Sequence, residues 1–219
     1  LAEIEIIGAH GTETGVCLDA TSDPAFARAL LDVIEQRHTL AGEVGTLSAS
    51  TTERFNPLRG DPQESLTGVP LRVEQSNSSI RFGERFMLKL FRRLSEGLNP
   101  EIEVGRFLTD RTPCPNIAPV AGVLEYQVPR RESVSVAVLQ GFVANEGDAW
   151  QYTLDALSSY FERVLARGDT TPPIVPAGSL FDRADEDPPR LTLELVEPFL
   201  ESARLLGQPT AEMHLALPK

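Results

Sequence analysis

The chain has 219 residues, of which 41% are apolar and 24% charged, so a sizeable hydrophobic core is expected. Its net charge is −12 and its pI about 4.7, and this acidity argues against a nucleic-acid backbone or an anionic membrane as partner. Two cysteines, Cys17 and Cys114, are too few for a disulfide framework and predict reduced thiols in a cytoplasmic protein. The longest apolar stretch, near 134–144, is too short to span a bilayer.

Residues 1–70 are predicted to form a small mixed α/β unit. Short apolar runs at 4–7 and 16–18, separated by glycines, predict two strands joined by a turn. Asp23 followed by Pro24 is a typical helix start and predicts a helix to about Gln36. Apolar residues at helical spacing predict its buried face: Phe26, Leu30, Leu31 and Ile34. The segment 39–61 is rich in Gly, Ser and Thr and predicts a loop with one short strand.

Residues 71–144 are predicted to form a β-rich unit with one helix. Strands are expected at 71–74, 80–82, 85–91, 120–126 and 134–142. Gly83 and Glu84 predict the turn of a hairpin, and the small polar residues 76–79 predict an earlier turn. Asn99 followed by Pro100 predicts a capped helix that runs to about Thr109.

Residues 145–219 are predicted to be helical. Gly147 and Asp148 predict the start of a helix. Its apolar face is expected to contain Trp150, Leu154, Leu157, Phe161 and Val164. The segment 170–189 is rich in Pro and Asp without periodicity and predicts a long, mobile loop. Two more helices are expected, at 191–206 with a bend at Pro198 and at 209–217.

Charged residues in the second unit suggest one chemistry and also a plainer alternative. Lys89 interrupts the apolar alternation of strand 85–91, and Glu101 and Glu103 occupy the first turn of the following helix. Protein kinases hold nucleotide phosphates with a strand lysine that a helix glutamate keeps in place. The alternative is a solvated edge-strand lysine and two acids that complement the helix dipole. Spacing alone leaves both interpretations open.

Two backbone segments allow the same pair of interpretations. The turn 76–79 lies where a glycine-rich phosphate cover lies in a kinase, and its hydroxyl and N–H groups are possible phosphate donors. It is not a G-x-G-x-x-G sequence, and an ordinary hairpin turn is the alternative. The segment 139–144 ends an apolar strand just before a helix start, as the adenine-binding hinge of a kinase does. The alternative there is a simple strand end.

Several segments closely resemble bacterial maltokinases. They are Glu74-Gln75-Ser76-Asn77-Ser78-Ser79, Leu88-Lys89-Leu90-Phe91-Arg92-Arg93-Leu94, Asn99-Pro100-Glu101-Ile102-Glu103-Val104-Gly105-Arg106-Phe107-Leu108, Leu139-Gln140-Gly141-Phe142-Val143 and Gly147-Asp148-Ala149-Trp150. The resemblance extends from about Asp23 to Leu217 and is closest to the maltokinase domain that is fused to trehalose synthase. It implies a kinase that makes maltose 1-phosphate from maltose and ATP with Mg²⁺, in trehalose and α-glucan metabolism.

The resemblance also implies a fold and roles for individual residues. The expected fold is α+β: a mixed α/β N-terminal cap over 1–70, a protein-kinase-like small lobe over 71–144 with an antiparallel sheet and one helix, and the start of a truncated helical large lobe over 145–219. Lys89 is expected to bind the nucleotide phosphates and Glu103, in preference to Glu101, to pair with it. The remaining nucleotide-binding residues would be Asn77, Ser78 and Ser79 in the phosphate loop, and Gln140, Gly141, Phe142 and Val143 in the hinge.

The sequence departs from this family in one important respect. The catalytic loop of maltokinases, His-Gly-Asp-x-His, and their metal-binding Asp-Phe-Glu do not occur in it. The resemblance therefore places the catalytic base and the Mg²⁺ ligands beyond Lys219 and implies that this chain is inactive alone. His214 lies in a segment similar to the helix before that loop and is expected to be a packed, structural side chain. The alternatives are a non-catalytic interaction module of a trehalose synthase fusion, or a related aminoglycoside-phosphotransferase-like kinase with another substrate.

Overall fold

The fold is α+β, and each pair of neighbouring strands among β1–β9 is antiparallel. The computed structural model describes residues 2–8, 11–71, 77–111, 114–168, 178–179, 181, 186–187 and 189–217. The strands are β1 Ala2–Gly8, β2 Gly11–Cys17, β3 Thr39–Ala41, β4 Thr46–Thr51, β5 Gly68–Leu71, β6 Asn77–Phe82, β7 Phe86–Phe91, β8 Val120–Gln127 and β9 Val134–Gly141. The helices are α1 Pro24–Glu35, α2 Phe55–Arg59, α3 Pro100–Asp110, α4 Ala149–Arg167 and α5 Arg190–Ala216. The chain divides into two compact units, Leu1–Ala144 and Asn145–Lys219.

The first unit is built on one seven-stranded sheet. Its strand order is β3-β4-β8-β9-β7-β6-β5, and every neighbouring pair is antiparallel. Strands from both sides of residue 70 contribute to it, because β4 pairs with β8 and β5 pairs with β6. Three strands that begin within the expected cap over 1–70, β3, β4 and β5, thus belong to the same sheet as the later strands. The hairpin β1–β2 alone forms a second, two-stranded sheet.

Both faces of the seven-stranded sheet are covered by helices. Side chains alternate between the faces along each strand, so one set packs with α1 and α2 and the other with α3. The first cluster includes Leu31 and Ile34 of α1 and Phe55 of α2, which pack with Ile80, Phe82, Phe86, Leu88, Leu124 and Leu139 of the sheet. The second consists of Ile102 of α3 with Val120, Val123 and Val138, and Phe91 at its margin. Of the described helices of the first unit, α3 thus packs on the face opposite to α1 and α2.

The predicted helix at 23–36 is confirmed, although its buried face differs by one residue. Asp23 accepts a hydrogen bond from the Ala25 N–H, which caps α1. Ala27, Leu31 and Ile34 are fully buried, whereas Phe26 is 38% exposed. A Cβ on Gly68 would lie 2.5 Å from the Cβ of Ala27. This close approach between α1 and β5 turns Ala27 toward the sheet and leaves Phe26 at the margin.

The segment predicted as a loop over 39–61 contains more regular structure than its composition indicates. It forms β3, β4 and α2. Its serines and threonines are compatible with strands when a neighbouring strand satisfies the backbone, and β4 pairs with β8 over its whole length. Of the strand predicted at 71–74, Leu71 belongs to β5, and residues 72–74 lie outside the described part of the chain. The later hairpin, helix and strand pair over 80–142 are confirmed.

The second unit consists of α4 and α5 in its described residues. Asp148 caps α4 by accepting a hydrogen bond from the Gln151 N–H, as predicted. The two helices expected at 191–206 and 209–217 are one, because α5 continues through Pro198 and Pro209. Most of the predicted loop 170–189 lies outside the described residues. An apolar groove of about 640 Å³ separates α4 from α5, and it is lined by residues such as Tyr160 and Phe199.

Candidate functional site

The site begins with the register of the β6–β7 hairpin. Ser79 on β6 lies directly opposite Lys89 on β7, so both side chains project from the same face of the sheet. That is the face covered by α3, because Val138, the partner of Lys89 on β9, belongs to the α3 cluster. Leu88, one residue earlier, points to the α1 core and is fully buried. The apolar alternation of β7 thus holds Lys89 on the α3 side of a rigid strand.

The helix α3 is positioned by interactions at both of its ends. Asn99 caps its first turn by accepting a hydrogen bond from the Glu101 N–H at 2.9 Å, and the Asn99 N–H donates to the Ser135 hydroxyl on β9. At the other end, the buried Thr109 hydroxyl accepts a hydrogen bond from the Val120 N–H at 3.0 Å. In between, Gly105 lies so close to the sheet that a Cβ there would be 2.8 Å from a Val120 methyl.

This placement pairs Lys89 with Glu101. The Lys89 Nζ donates to Glu101 Oε1 at 2.7 Å, and the two side chains are 26% and 33% exposed. Glu103 is exposed and makes no ion pair or hydrogen bond with its side chain among the described residues. The expectation that Glu103 pairs with Lys89 is therefore wrong, because the side of α3 that carries Glu101 is the one next to Lys89. The predicted orientation of Lys89 toward α3 is confirmed.

The three polar residues expected in a phosphate turn are instead the first residues of β6. Asn77 and Ser79 share the Lys89 face, and Ser78 projects from the opposite face, where its hydroxyl accepts a hydrogen bond from Arg92 Nε at 3.1 Å. The turn predicted at 76–79 is therefore wrong for 77–79, while Ser76 lies outside the described residues. Ser79 is 2% exposed, and its hydroxyl is the one buried side-chain polar atom without a hydrogen-bond partner in the described part of the chain.

The segment predicted as a hinge leaves the sheet at the end of β9. Gln140 pairs with Met87 within the sheet, so its backbone belongs to the ladder. The Gly141 N–H donates to the Pro119 carbonyl at 2.8 Å, and the Phe142 N–H donates to the Arg85 carbonyl at 2.9 Å. Two backbone donors of the predicted hinge are therefore already used within the protein. Val143 is 56% exposed at its side chain.

A cation that the sequence analysis did not select lies beside this segment. Arg81 of β6 is two residues beyond Ser79 and shares its face of the sheet. Its guanidinium lies over the Phe142 ring, 5.7 Å from the ring centroid. The alternation of side chains along β6, which places every second residue on the same face as Ser79, was the signal that could have identified Arg81. Along the Lys89 face, in the direction in which β9 runs, Asn77 comes first, then the pair Ser79 and Lys89, and then Arg81. Phe142 follows the end of β9.

Lys89 and Ser79 define the chemistry of this face of the sheet. Lys89 offers a cation and Ser79 an unsatisfied hydroxyl, and both are donors to anionic oxygens. Within the described residues, no group of three or more His, Cys, Asp or Glu side chains is placed to hold a metal ion. The described residues of this face thus offer donors to an anionic group.

His214 and the apolar face of α4 behave differently from expectation. His214 is exposed near the end of α5, so the prediction that it is packed is wrong. Trp150, Leu154, Leu157 and Phe161 are also exposed, at 73%, 38%, 46% and 54%.

None of the described helices has the length and apolar composition needed to cross a membrane. No known family model matches the chain.

Proposed function

We propose that residues 1–144 form the nucleotide-holding lobe of a protein-kinase-like phosphotransferase that resembles the maltokinases. The observation that carries this proposal is the 2.7 Å ion pair between Lys89 on β7 and Glu101 on α3. In kinases, a strand lysine held by a glutamate from a neighbouring helix binds the α and β phosphates of the nucleotide. The edge-strand alternative is disfavoured, since β7 lies between β9 and β6.

The Ser79 hydroxyl lies directly opposite Lys89, buried and without a hydrogen-bond partner. An unsatisfied buried polar group costs about 1–3 kcal/mol. A phosphate oxygen would satisfy it only if the site opens around Ser79 on binding, because the hydroxyl is not accessible to solvent. Lys89 would neutralise phosphate charge, and Glu101 would orient the lysine.

The sugar acceptor and the reaction step depend on the sequence resemblance alone. Maltose as acceptor, and a fused or associated trehalose synthase domain as partner, are part of the proposal because of the motifs that surround Lys89 and Asn99. The sequence contains no His-Gly-Asp-x-His motif, so no residue of this chain is assigned as the base that activates the acceptor hydroxyl. Mg²⁺ would neutralise phosphate charge in the complete reaction, and no described residue is assigned to it.

The test compares three single substitutions in a nucleotide-binding titration of this chain by isothermal calorimetry. Lys89→Met should weaken ATP binding about 10- to 100-fold, because a charge-assisted hydrogen bond contributes about 1.5–3 kcal/mol. Glu101→Gln should weaken ATP binding several-fold, because it releases the lysine. Glu103→Gln is the matched control, since Glu103 follows Ile102 as Glu101 precedes it, and it should change the ATP affinity less than about twofold. Equal effects at Glu101 and Glu103, or full ATP binding by Lys89→Met, would contradict the proposal.

A second candidate, an interaction module, is favoured by the hairpin β1–β2. Among the described residues it pairs only with itself, and Ile6 and Ile7 are 56% and 82% exposed. Isolated two-stranded hairpins are marginally stable in water, so a partner surface would stabilise it. Sedimentation of the chain mixed with a trehalose synthase domain tests this role. Complex formation that Ile6→Ser abolishes, without any ATP binding by the wild-type chain, would favour the module over the kinase.

A further inference from the structure

Two turns lie side by side at one end of the seven-stranded sheet. One spans residues 42–45 between β3 and β4, and the other spans 128–131 after β8. They share that end because Thr46, at the start of β4, pairs with Gln127 at the end of β8. Residues of both turns line a cavity of about 470 Å³, the two-turn cavity. Its volume is in the range of about 300–1,000 Å³ that is typical of small-molecule sites.

Strand residues provide the two-turn cavity with a polar floor. Thr46 and Ser48 of β4 line it and are half-buried. They project from the α3 side of the sheet, since Ser50, the next residue of the same alternation, pairs with Val123 of the α3 cluster. Neither hydroxyl makes a hydrogen bond with another residue among those that the structure describes. Both hydroxyls can therefore donate to a ligand and accept from it.

The second turn contains an arginine in a backbone conformation that arginine rarely adopts. The Arg131 N–H donates to the Val128 carbonyl at 3.2 Å, and Arg130 between them has a φ of +67°. With Pro129 before it, Arg130 occupies the third position of a type II turn, where glycine or asparagine is favoured. An arginine there destabilises the turn relative to either of them.

The side chain of Arg130 compensates for this only if it binds something outside the described residues. Among those residues, Arg37 is the other non-glycine residue with positive φ, and its Nε donates to the Thr51 hydroxyl at 2.7 Å. Arg131 pairs with Glu96 at 3.2 Å. Arg130 lines the two-turn cavity, is exposed, and makes no hydrogen bond or ion pair with any residue that the structure describes.

We propose that the two-turn cavity binds a phosphate monoester of a small polyhydroxylated molecule. The guanidinium of Arg130 offers only N–H donors, in a planar fork that matches phosphate oxygens. The hydroxyls of Thr46 and Ser48 and the amide of Gln127 both donate and accept, so they suit the hydroxyl groups of the ligand. Glu43, in the other turn, accepts only, and it favours a ligand whose hydroxyls donate to it over a bare anion.

This site is separate from the one at Lys89. Strands β8 and β9 lie between β4 and β7, so at about 4.8 Å per strand the cavity floor is about 14 Å from Lys89 across the sheet. Exposed charges at that distance are largely screened from each other at physiological salt. The inference concerns binding alone and does not depend on the proposed function.

The experiment measures the affinity of this chain for three probes by isothermal titration calorimetry: glucose 6-phosphate, glucose and inorganic phosphate. Arg130→Gln removes the guanidinium from the cavity, and Ser48→Ala removes one hydroxyl from its floor. Arg37→Gln is the matched control, because it removes the same charge at the other arginine with positive φ, which does not line the cavity. Lys89→Met tests whether a probe binds at the Lys89 site instead. Thermal unfolding followed by circular dichroism verifies that each variant is folded.

Glucose 6-phosphate should bind at least about tenfold more tightly than glucose or inorganic phosphate, because it alone can engage both Arg130 and the floor. Arg130→Gln should weaken its binding about 10- to 100-fold, as the loss of a charge-assisted hydrogen bond does, and Ser48→Ala about 2- to 10-fold. Arg37→Gln and Lys89→Met should each change it less than about twofold. Arg130→Asn should bind as weakly as Arg130→Gln without melting below the wild type, since asparagine tolerates positive φ.

Four results would each overturn the inference. The first is a wild-type chain that does not bind glucose 6-phosphate, or binds it no more tightly than inorganic phosphate. The second is a loss of binding in Lys89→Met but not in Arg130→Gln, which would place the ester at the Lys89 site and leave the proposed function standing. Equal losses in Arg130→Gln and Arg37→Gln would show an effect of net charge only. A lower melting temperature of Arg130→Asn with unchanged glucose 6-phosphate affinity would make Arg130 a structural residue.

Discussion

Replacing Gly105 by alanine sets two opposing effects against each other in the helix that carries Glu101. Alanine is favoured over glycine inside a helix by about 0.8–1 kcal/mol. The new methyl would lie 2.8 Å from Val120 Cγ2, whereas carbon atoms in contact are about 3.5–4.0 Å apart. Val120 is fully buried and β-branched, so it has little freedom to rotate away, and such overpacking costs about 1–3 kcal/mol. We expect a net loss of about 1 kcal/mol.

Gly207 provides the matched control. It lies inside α5, and a Cβ there would meet no atom within 4 Å. Gly207→Ala should therefore stabilise α5 by the helix-propensity gain alone, about 0.8–1 kcal/mol. The difference between the two substitutions isolates the contact between α3 and Val120.

Native-state hydrogen exchange followed by mass spectrometry can measure both effects in the same chain, segment by segment. In Gly105→Ala, amides of α3 and β8 should exchange about fivefold faster, which corresponds to about 1 kcal/mol. In Gly207→Ala, amides of α5 should exchange a few-fold more slowly. Slower exchange of α3 and β8 in Gly105→Ala would refute the close packing of α3 on β8. It would also remove the reason why Glu101 lies within hydrogen-bond distance of Lys89.

Three further substitutions test what holds the sheet and its helices together. Thr109→Val leaves the buried Val120 N–H without its acceptor and should cost about 1–3 kcal/mol in urea denaturation, whereas Thr109→Ser should cost less. Arg59 is 3% exposed and donates hydrogen bonds to Glu35 and to three backbone carbonyls. Arg59→Met should therefore lower the free energy of unfolding by about 3–5 kcal/mol. A loss below about 1 kcal/mol would show that the pair with Glu35 is not formed. Asp23→Ala should cost about 1 kcal/mol through loss of the α1 cap, and unchanged exchange protection in the first turn of α1 would contradict that role.

The pairing of Lys89 shows where sequence reasoning reaches its limit. Glu101 and Glu103 flank Ile102 on a helix, about 100° to either side of it. Ile102 faces the sheet, so both glutamates border the same interface and each would be a plausible partner. Which of them reaches Lys89 depends on whether β7 lies to one side of Ile102 or to the other. That relation follows from the strand order and from the close approach at Gly105, neither of which local spacing encodes.

The sequence by itself determined the local elements whose signals are chemical and short-range. Asp23, Asn99 and Asp148 cap helices as their side chains predict, and the alternation of 86–91 places Lys89 on the face opposite Leu88. Only the tertiary structure decided what meets across the sheet. Strand β4 in the polar segment 39–51 forms because β8 satisfies its backbone groups, and the Arg81 guanidinium lies over Phe142, which follows β9. Capping and alternation act within one element, whereas pairing and stacking depend on residues far apart in the chain.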